Sequence, residues 1–274
     1  MPELEAIIFD VDGTLADTER DGHRVAFNAA FADAGLDWEW SVPLYGELLR
    51  VTGGKERIRT YLAEHRPDFS PPEALDDFIR GLHQRKTAHY TQMMRAGSIG
   101  LRPGVLRLLR EAMDAGIRLA IATTTTPENV SALLSAAPVP GQYPALQHWF
   151  EVIAAGDVVP AKKPAPDIFD LALAELGLPA RACVAVEDSD NGVRSALGAG
   201  LDALLVTVSS YTQEQDLAAA ALVVDGLGEP DLPPPQVVAG HCADAVAGAL
   251  RDAACVDLAV LRALHGCAAA GPGD

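Results

Sequence analysis

Positive charge is thin in this sequence: 21 lysines and arginines face 38 aspartates and glutamates, a formal net charge of −17. A nucleic-acid backbone needs a basic face, so that class of partner is excluded. A small anionic substrate is still admissible if local cations and a metal ion offset the repulsive field. The remaining acids serve solubility. No apolar run is long enough to cross a bilayer. The opening MPELEA has neither the charged nor the apolar part of a signal peptide. The chain is therefore expected to be soluble and cytoplasmic, with no membrane partner. Cys183, Cys242, Cys255 and Cys267 lie far apart with no CxxC pair, which argues against a zinc site or a disulfide framework and leaves ordinary thiols. Internal repeats are absent as well.

What is present is a series of short apolar runs: Ala6–Phe9, Leu119–Ala122, Val152–Ala155, Cys183–Val186, Ala203–Val206 and Leu222–Val224. Separated by helical patterns, they predict a parallel sheet covered on both faces, a doubly wound, Rossmann-like α/β core. More than a hundred residues lie between the first two runs, far beyond one crossover. Their pattern is helical, as in His23–Ala34 and Leu75–Met94. Residues 17–96 are read as an inserted helical cap domain, and 1–16 with 97–227 as the core. Leu15–Asp17 and Ala96–Gly104 are the hinges. Residues 228–274 are a proline-rich linker, GEPDLPPPQ, and an alanine-rich tail. There Leu258, Leu261 and Leu264 share helical spacing, so the tail docks as a helix, pairs two copies or stays loosely ordered. The chain is taken as a monomer, with a tail-mediated dimer as the alternative.

In such a sheet, ligands bind beyond the carboxyl ends of the strands. The polar residues that follow the runs are Asp10 and Asp12, Thr123 to Thr126, Lys162 and Lys163, and Glu187 and Asp188. Each has a plain structural reading. DVDGT is a strand end with a turn, Thr126 and Pro127 start a helix, the lysines flank a loop proline, and Glu187–Asp188 cap a helix. Their joint order is what points to chemistry. Asp10, Asp12, Glu187 and Asp188 beside a phosphate would repel by about 4 kcal/mol per close pair at an effective dielectric of about 20. All-oxygen donors call for a hard cation, and one that keeps waters and binds substrate phosphate is Mg²⁺. Lys163 offers a second positive charge.

With DVDGT at 10–14, Thr123, KPAPD at 163–167, EDS at 187–189 and the insertion after the first strand, residues 4–225 resemble haloacid-dehalogenase-superfamily phosphatases. LADTE, WEW, LYGELL, TGGKERI and SSYT are similar to the CbbY-type sugar-bisphosphate phosphatases of carbon fixation, which act on xylulose 1,5-bisphosphate. The resemblance implies that Asp10 is the nucleophile forming an aspartyl-phosphate, and that Asp12 is the acid and base. It implies an Mg²⁺ shell of Asp10, Asp188 and the Asp12 carbonyl, with Glu187 bound directly or through water. Thr123, Thr124 and Lys163 would hold the phosphoryl oxygens. Lys163 is chosen over Lys162 because it directly precedes the proline; Lys162 is a departure with no assigned role.

TGGKER at 52–57 is not a P-loop, because Glu56 follows the lysine where Ser or Thr is required. In the family this stretch is a specificity loop, here Gly53, Gly54, Lys55 and Arg57, with Lys55 and Arg57 toward a distal phosphate. Asp17, Glu19, His23 and Tyr45 would meet sugar hydroxyls; the plain alternative is that cap charges simply face water. The leading expectation is an Mg²⁺-dependent phosphatase of a small phosphorylated sugar. Two alternatives stand beside it. One is a phosphomutase resembling β-phosphoglucomutase. The other is a receiver-like phosphoprotein, against which the inserted cap and the DxD argue.

Overall fold

Each apolar run becomes a strand, buried on both sides except in Val152–Ala155 at the sheet edge, where Ile153 is exposed. A computed structural model describes residues 3–270. Its sheet contains β1 (Ala6–Phe9), β2 (Arg118–Thr123), β3 (Phe150–Ala155), β4 (Cys183–Glu187), β5 (Leu204–Thr207), β6 (Leu222–Val224) and β7 (Val237–Ala239), in the order β3-β2-β1-β4-β5-β6-β7. The first six are parallel, and β7 pairs antiparallel with β6.

Alternation along β1 shows the layering. Ile7 and Phe9 join an apolar cluster with α5 (Val105–Asp114), α6 (Pro127–Ala136), α9 (Ala243–Ala253) and α10 (Leu258–Ala270). Ala6 and Ile8 join the opposite cluster with α7 (Asp167–Leu176) and α8 (Asp190–Gly198). Phe9 lies in register with Ile121 and Val186, so the residue after β1, Asp10, comes beside Glu187 at the end of β4. Chain order diverges on either side of β1, which makes this edge the crevice where such sheets bind ligands.

Between β1 and β2 lie a π-helical turn (Glu19–His23) and α1 (Arg24–Asp33), α2 (Val42–Leu48), α3 (Gly54–His65) and α4 (Leu75–Arg95). They form a helical cap with its own core, built on Phe27, Phe31, Trp38, Trp40, Tyr45, Tyr61 and Phe78. Among the described residues no helix is long and apolar enough to cross a membrane.

Beyond Asp225 two readings are corrected, and among the alternatives for the tail the docked helix is the one found. Val237–Ala239 is an edge strand, made by its pairing with β6 and not by any alternation of its own. Leu258, Leu261 and Leu264 are buried in the core cluster, so α10 docks on its own chain and the leucine stripe is not free to pair two copies. The closing GPGD lies outside the described residues.

The other correction concerns cysteine: Cys242 and Cys267 form a disulfide, where only thiols were expected. Their spacing of 25 residues carries no signal, but α9 and α10 fold back on each other and bring the Cα atoms to 6.0 Å. Cys183 and Cys255 remain free and buried. Closing a loop of this length is worth about 3 kcal/mol in the chain-entropy account. Dithiothreitol should therefore lower the melting temperature. Thiol titration under denaturing conditions should rise from two groups to four; no change in either would remove the disulfide.

Candidate active site

The site begins where β1 stops being apolar. Asp10 prolongs the ladder, its N–H donating to Val186 O at 3.0 Å, and the chain then turns, with Gly13 N–H donating to Ala16 O at 2.8 Å. Gly13 sits at φ +89, and a Cβ there would run into the Asp188 carboxylate, so the turn requires glycine twice over. Asp10, Glu187 and Asp188 present carboxylate oxygens all within 4.8 Å of one another, and all three residues are buried. One ammonium serves them: Lys163 Nζ lies 2.7 Å from Asp10 Oδ1, 2.5 Å from Glu187 Oε1 and 2.9 Å from Ala122 O.

Three acids against one cation leave the cluster short of positive charge. Burial first, then Glu187 and Asp12, push Asp10 up to about 7 against the pull of Lys163. Burial, followed by Glu187 and Asp10, pushes Asp188 well above the carboxylate range, opposed by a hydrogen bond from Ser209 and by Arg102. Burial alone would lower Lys163, but Asp10 and Glu187 outweigh it and hold the ammonium charged. A dense set of hard oxygen donors short of cationic charge fits Mg²⁺, which Asp10, Glu187 and Asp188 would hold.

This shortage has a measurable consequence. The ordinary Asp10 value is 3.8, so between about pH 4 and about pH 7 the folded protein keeps a proton that the unfolded chain has released. Unfolding then releases that proton, and stability falls as pH rises through the window, by on the order of 4 kcal/mol for this one group. Chelator-treated protein should lose denaturation midpoint from pH 5 to pH 8. Added Mg²⁺ should restore more at pH 8 than at pH 5, and equal midpoints at both pH values would contradict the assigned crowding.

The turn sends Asp12 away from this cluster. Its carboxylate accepts from Thr18 Oγ1 at 2.5 Å and pairs with His23 Nε2 at 2.8 Å; His23 Nδ1 in turn meets Lys86 Nζ at 2.8 Å. Burial would raise Asp12, but His23, Thr18 and Lys86 reverse that and hold it below the usual range. Asp12 is thus absent from the carboxylate set expected to hold a metal, and the only ligand it can offer there is its carbonyl. Lys86 went unnoticed in the sequence, although a charge at the buried position between Leu82 and Tyr90 on α4 was the available signal. Burial lowers its ammonium to about 8.

A cavity of about 520 Å³ opens over these groups, with Asp10, Asp12, Thr123, Thr124, Lys163, Glu187 and Asp188 among its walls and Glu19, Arg50 and Arg57 on the cap side. Thr123 is buried at the end of β2, and Thr126 caps α6 with its hydroxyl accepting from Asn129 N–H. A smaller recess of about 50 Å³ carries His23, Gly53, Gly54, Lys55 and Arg57.

Among the expected substrate contacts, Glu19 and Arg57 line both spaces. Tyr45 lines neither: fully buried, it donates to Glu19 and accepts from Arg57 Nη1 at 2.7 Å, so it aims those two side chains instead. Asp17 accepts from Ser210 Oγ at 3.0 Å and also lines neither. Lys55, expected at a distal phosphate, pairs with Asp157. Arg102, on the chain's return from the cap, was not singled out either. Its guanidinium donates to the carbonyls of Gly13, Thr207 and Val208, joining the catalytic turn to the loop that carries Ser209.

Residues 4–200 match the family model described as haloacid dehalogenase-like hydrolase. Over 265 residues the chain is 45% identical to protein CbbY (plasmid) of Cupriavidus necator, covering 96% of this chain and 97% of that one. The crystal structure of CbbY from Rhodobacter sphaeroides in complex with phosphate is similar at a TM-score of 0.74 and 47% identity, over 83% of this chain and 96% of that chain. A mutant of that protein in complex with xylulose 1,5-bisphosphate matches at a TM-score of 0.75, with the same identity and coverage.

Proposed function

From its membership of the haloacid dehalogenase-like hydrolases, and within them of the CbbY type, we propose that this chain is an Mg²⁺-dependent phosphatase of a sugar bisphosphate, xylulose 1,5-bisphosphate being the substrate best supported. The observation that carries the reading is the triplet Asp10, Glu187 and Asp188 around Lys163, under a cavity walled on one side by the cap. Residues 17–96 are taken as the cap and the two flanking segments, 1–16 and 97–227, as the core.

In this reading Asp10 attacks phosphorus with the oxygen that Lys163 leaves free, and the P–O bond to the sugar breaks as an aspartyl-phosphate forms. Lys163 and Thr123, with the backbone amides around Thr124, hold the phosphoryl oxygens as charge spreads over them. Asp12 donates a proton to the departing sugar oxygen, then takes one from the water that cleaves the acyl phosphate. Thr18 and His23 fix its carboxylate. The dianionic phosphate entering beside it raises its proton affinity, so that Asp12 takes up a proton from solvent before giving it to the sugar oxygen. When bound, Mg²⁺ would neutralise the crowded oxygens and polarise the phosphoryl group. Arg57, with Nε lacking a protein partner and its head between the two spaces, suits the far end of the substrate.

Cytoplasmic residence belongs to the same reading. The Cys242–Cys267 bond is the observation against it, since reducing compartments seldom keep disulfides. The test of function is inorganic phosphate release with Mg²⁺ from mono- and bisphosphorylated pentoses and hexoses. Preferred release from xylulose 1,5-bisphosphate is expected. Transfer of phosphate between sugars without net release would replace the phosphatase by a mutase.

A further inference from the structure

Lys162 and Lys163 are adjacent, yet their ammonium groups serve different parts of the molecule. Lys163 enters the acid triplet; Lys162 lies 3.0 Å from both carboxylate oxygens of Glu56, on the cap, and 2.8 Å from Asp157 Oδ1, on the core. The other Asp157 oxygen is taken by Lys55. Four charges of alternating sign therefore cross the cleft, Glu56, Lys162, Asp157 and Lys55, two from the first turn of α3 and two from the segment joining β3 to α7.

We propose that Lys162 is a positioning residue: by tying Glu56 to Asp157 it clasps the cap's glycine loop down over the catalytic cavity, and so sets the affinity for substrates that the cap must cover.

Three further observations support the clasp. Gly53 sits at φ +96, and a Cβ there would meet the Glu56 carboxylate first and then Lys162 Nζ at 2.7 Å, so the Glu56–Lys162 pair packs against the bare backbone of the loop. The other end of the same loop is also held by the core, Asn191 Nδ2 donating to Thr52 Oγ1 at 3.1 Å and to Arg50 O at 3.3 Å. Held at both ends, the loop spans the cavity, Arg50 and Thr52 facing the larger space and Gly53 to Lys55 the smaller. Hydrogen bonds from Lys162 and Lys55 also hold Asp157 down to about 2, as an engaged carboxylate requires. The aromatic core of the cap includes no residue of the β3–α7 segment. On this side the two bodies therefore meet through ion pairs, which exchange readily for water and suit a contact that must open and close.

The proposal rests on the phosphatase reading, and two readouts keep the two apart. With Mg²⁺ present, Lys162→Met should raise KM for xylulose 1,5-bisphosphate about three- to five-fold and leave turnover of p-nitrophenyl phosphate, which needs no covering, unchanged. Glu56→Gln should act in the same direction, the double variant should be no worse than the stronger single one, and Lys162→Arg should rescue. Independently of turnover, Lys162→Met should speed amide hydrogen exchange in residues 53–57. Equal losses on both substrates would mean that Lys162 acts through Lys163. Multiplying single effects, or unchanged exchange in the loop, would also overturn the clasp. If the wild type hydrolyses neither ester, the phosphatase reading fails while exchange still decides the clasp.

Discussion

Asp10→Asn should lower phosphate release by about four orders of magnitude or more while the protein melts no earlier at pH 8 than the wild type does. The activity loss follows from the proposed nucleophile: an amide cannot form the acyl phosphate. The stability result follows from crowding. The Asp10 proton affinity is pushed up to about 7 by burial and by Glu187 and Asp12, so ionised Asp10 is a cost to the fold at pH 8. Asparagine keeps the shape and an oxygen to accept from Lys163, yet removes that charge. Loss of function without loss of stability is the signature of a strained site retained for chemistry. Phosphate release and thermal melts of both proteins, taken with chelator and with Mg²⁺, check it. The stabilisation by Mg²⁺ should shrink in the variant, because one of three ligands has lost its charge. Retained turnover would refute the assigned nucleophile.

Lys163→Met should behave in the opposite way. Its ammonium touches Asp10, Glu187 and the Ala122 carbonyl and is itself buried. Removing it strands two carboxylates with no cation of the chain beside them, a cost of about 3–5 kcal/mol for a broken buried pair. Turnover should fall about a hundred- to a thousand-fold, as for the loss of one donor to transition-state charge. The pH dependence separates the two effects. Asp10 holds a proton in the fold at pH 5 and has lost it at pH 8, so the variant's deficit against the wild type should be smaller at pH 5 than at pH 8. A deficit equal at both pH values would mean that the methionine packs badly rather than that charge is unbalanced.

These two variants differ in sign because one residue belongs to the excess charge and the other to the deficit. Neither sign could be had from the motifs. DVDGT, KPAPD and EDS bring two acids, a lysine and two more acids to the strand ends, but how many acids share one ammonium depends on which side chains converge. Asp12 shows the limit most clearly. Counted with Asp10, Glu187 and Asp188 as one acid cluster, its carboxylate turns instead to Thr18 and His23. Lys55 shows the same limit in the cap, where a core residue more than a hundred positions away claims it.

The sequence by itself determined the sheet and the chemistry at its edge. Apolar runs bounded by turns, glycine after the acids, and Thr126–Pro127 opening a helix are local signals, set by side-chain burial and by φ, ψ preference within a few residues. Only the tertiary structure decided the remainder: the edge strand Val237–Ala239, the Cys242–Cys267 bond, the removal of Tyr45 and Asp17 from the cavity walls, and the partners of Lys162. Each of these is a contact between segments distant in sequence. Its energy depends on separations and burial that exist only once both bodies are folded and docked, so no spacing along the chain encodes it.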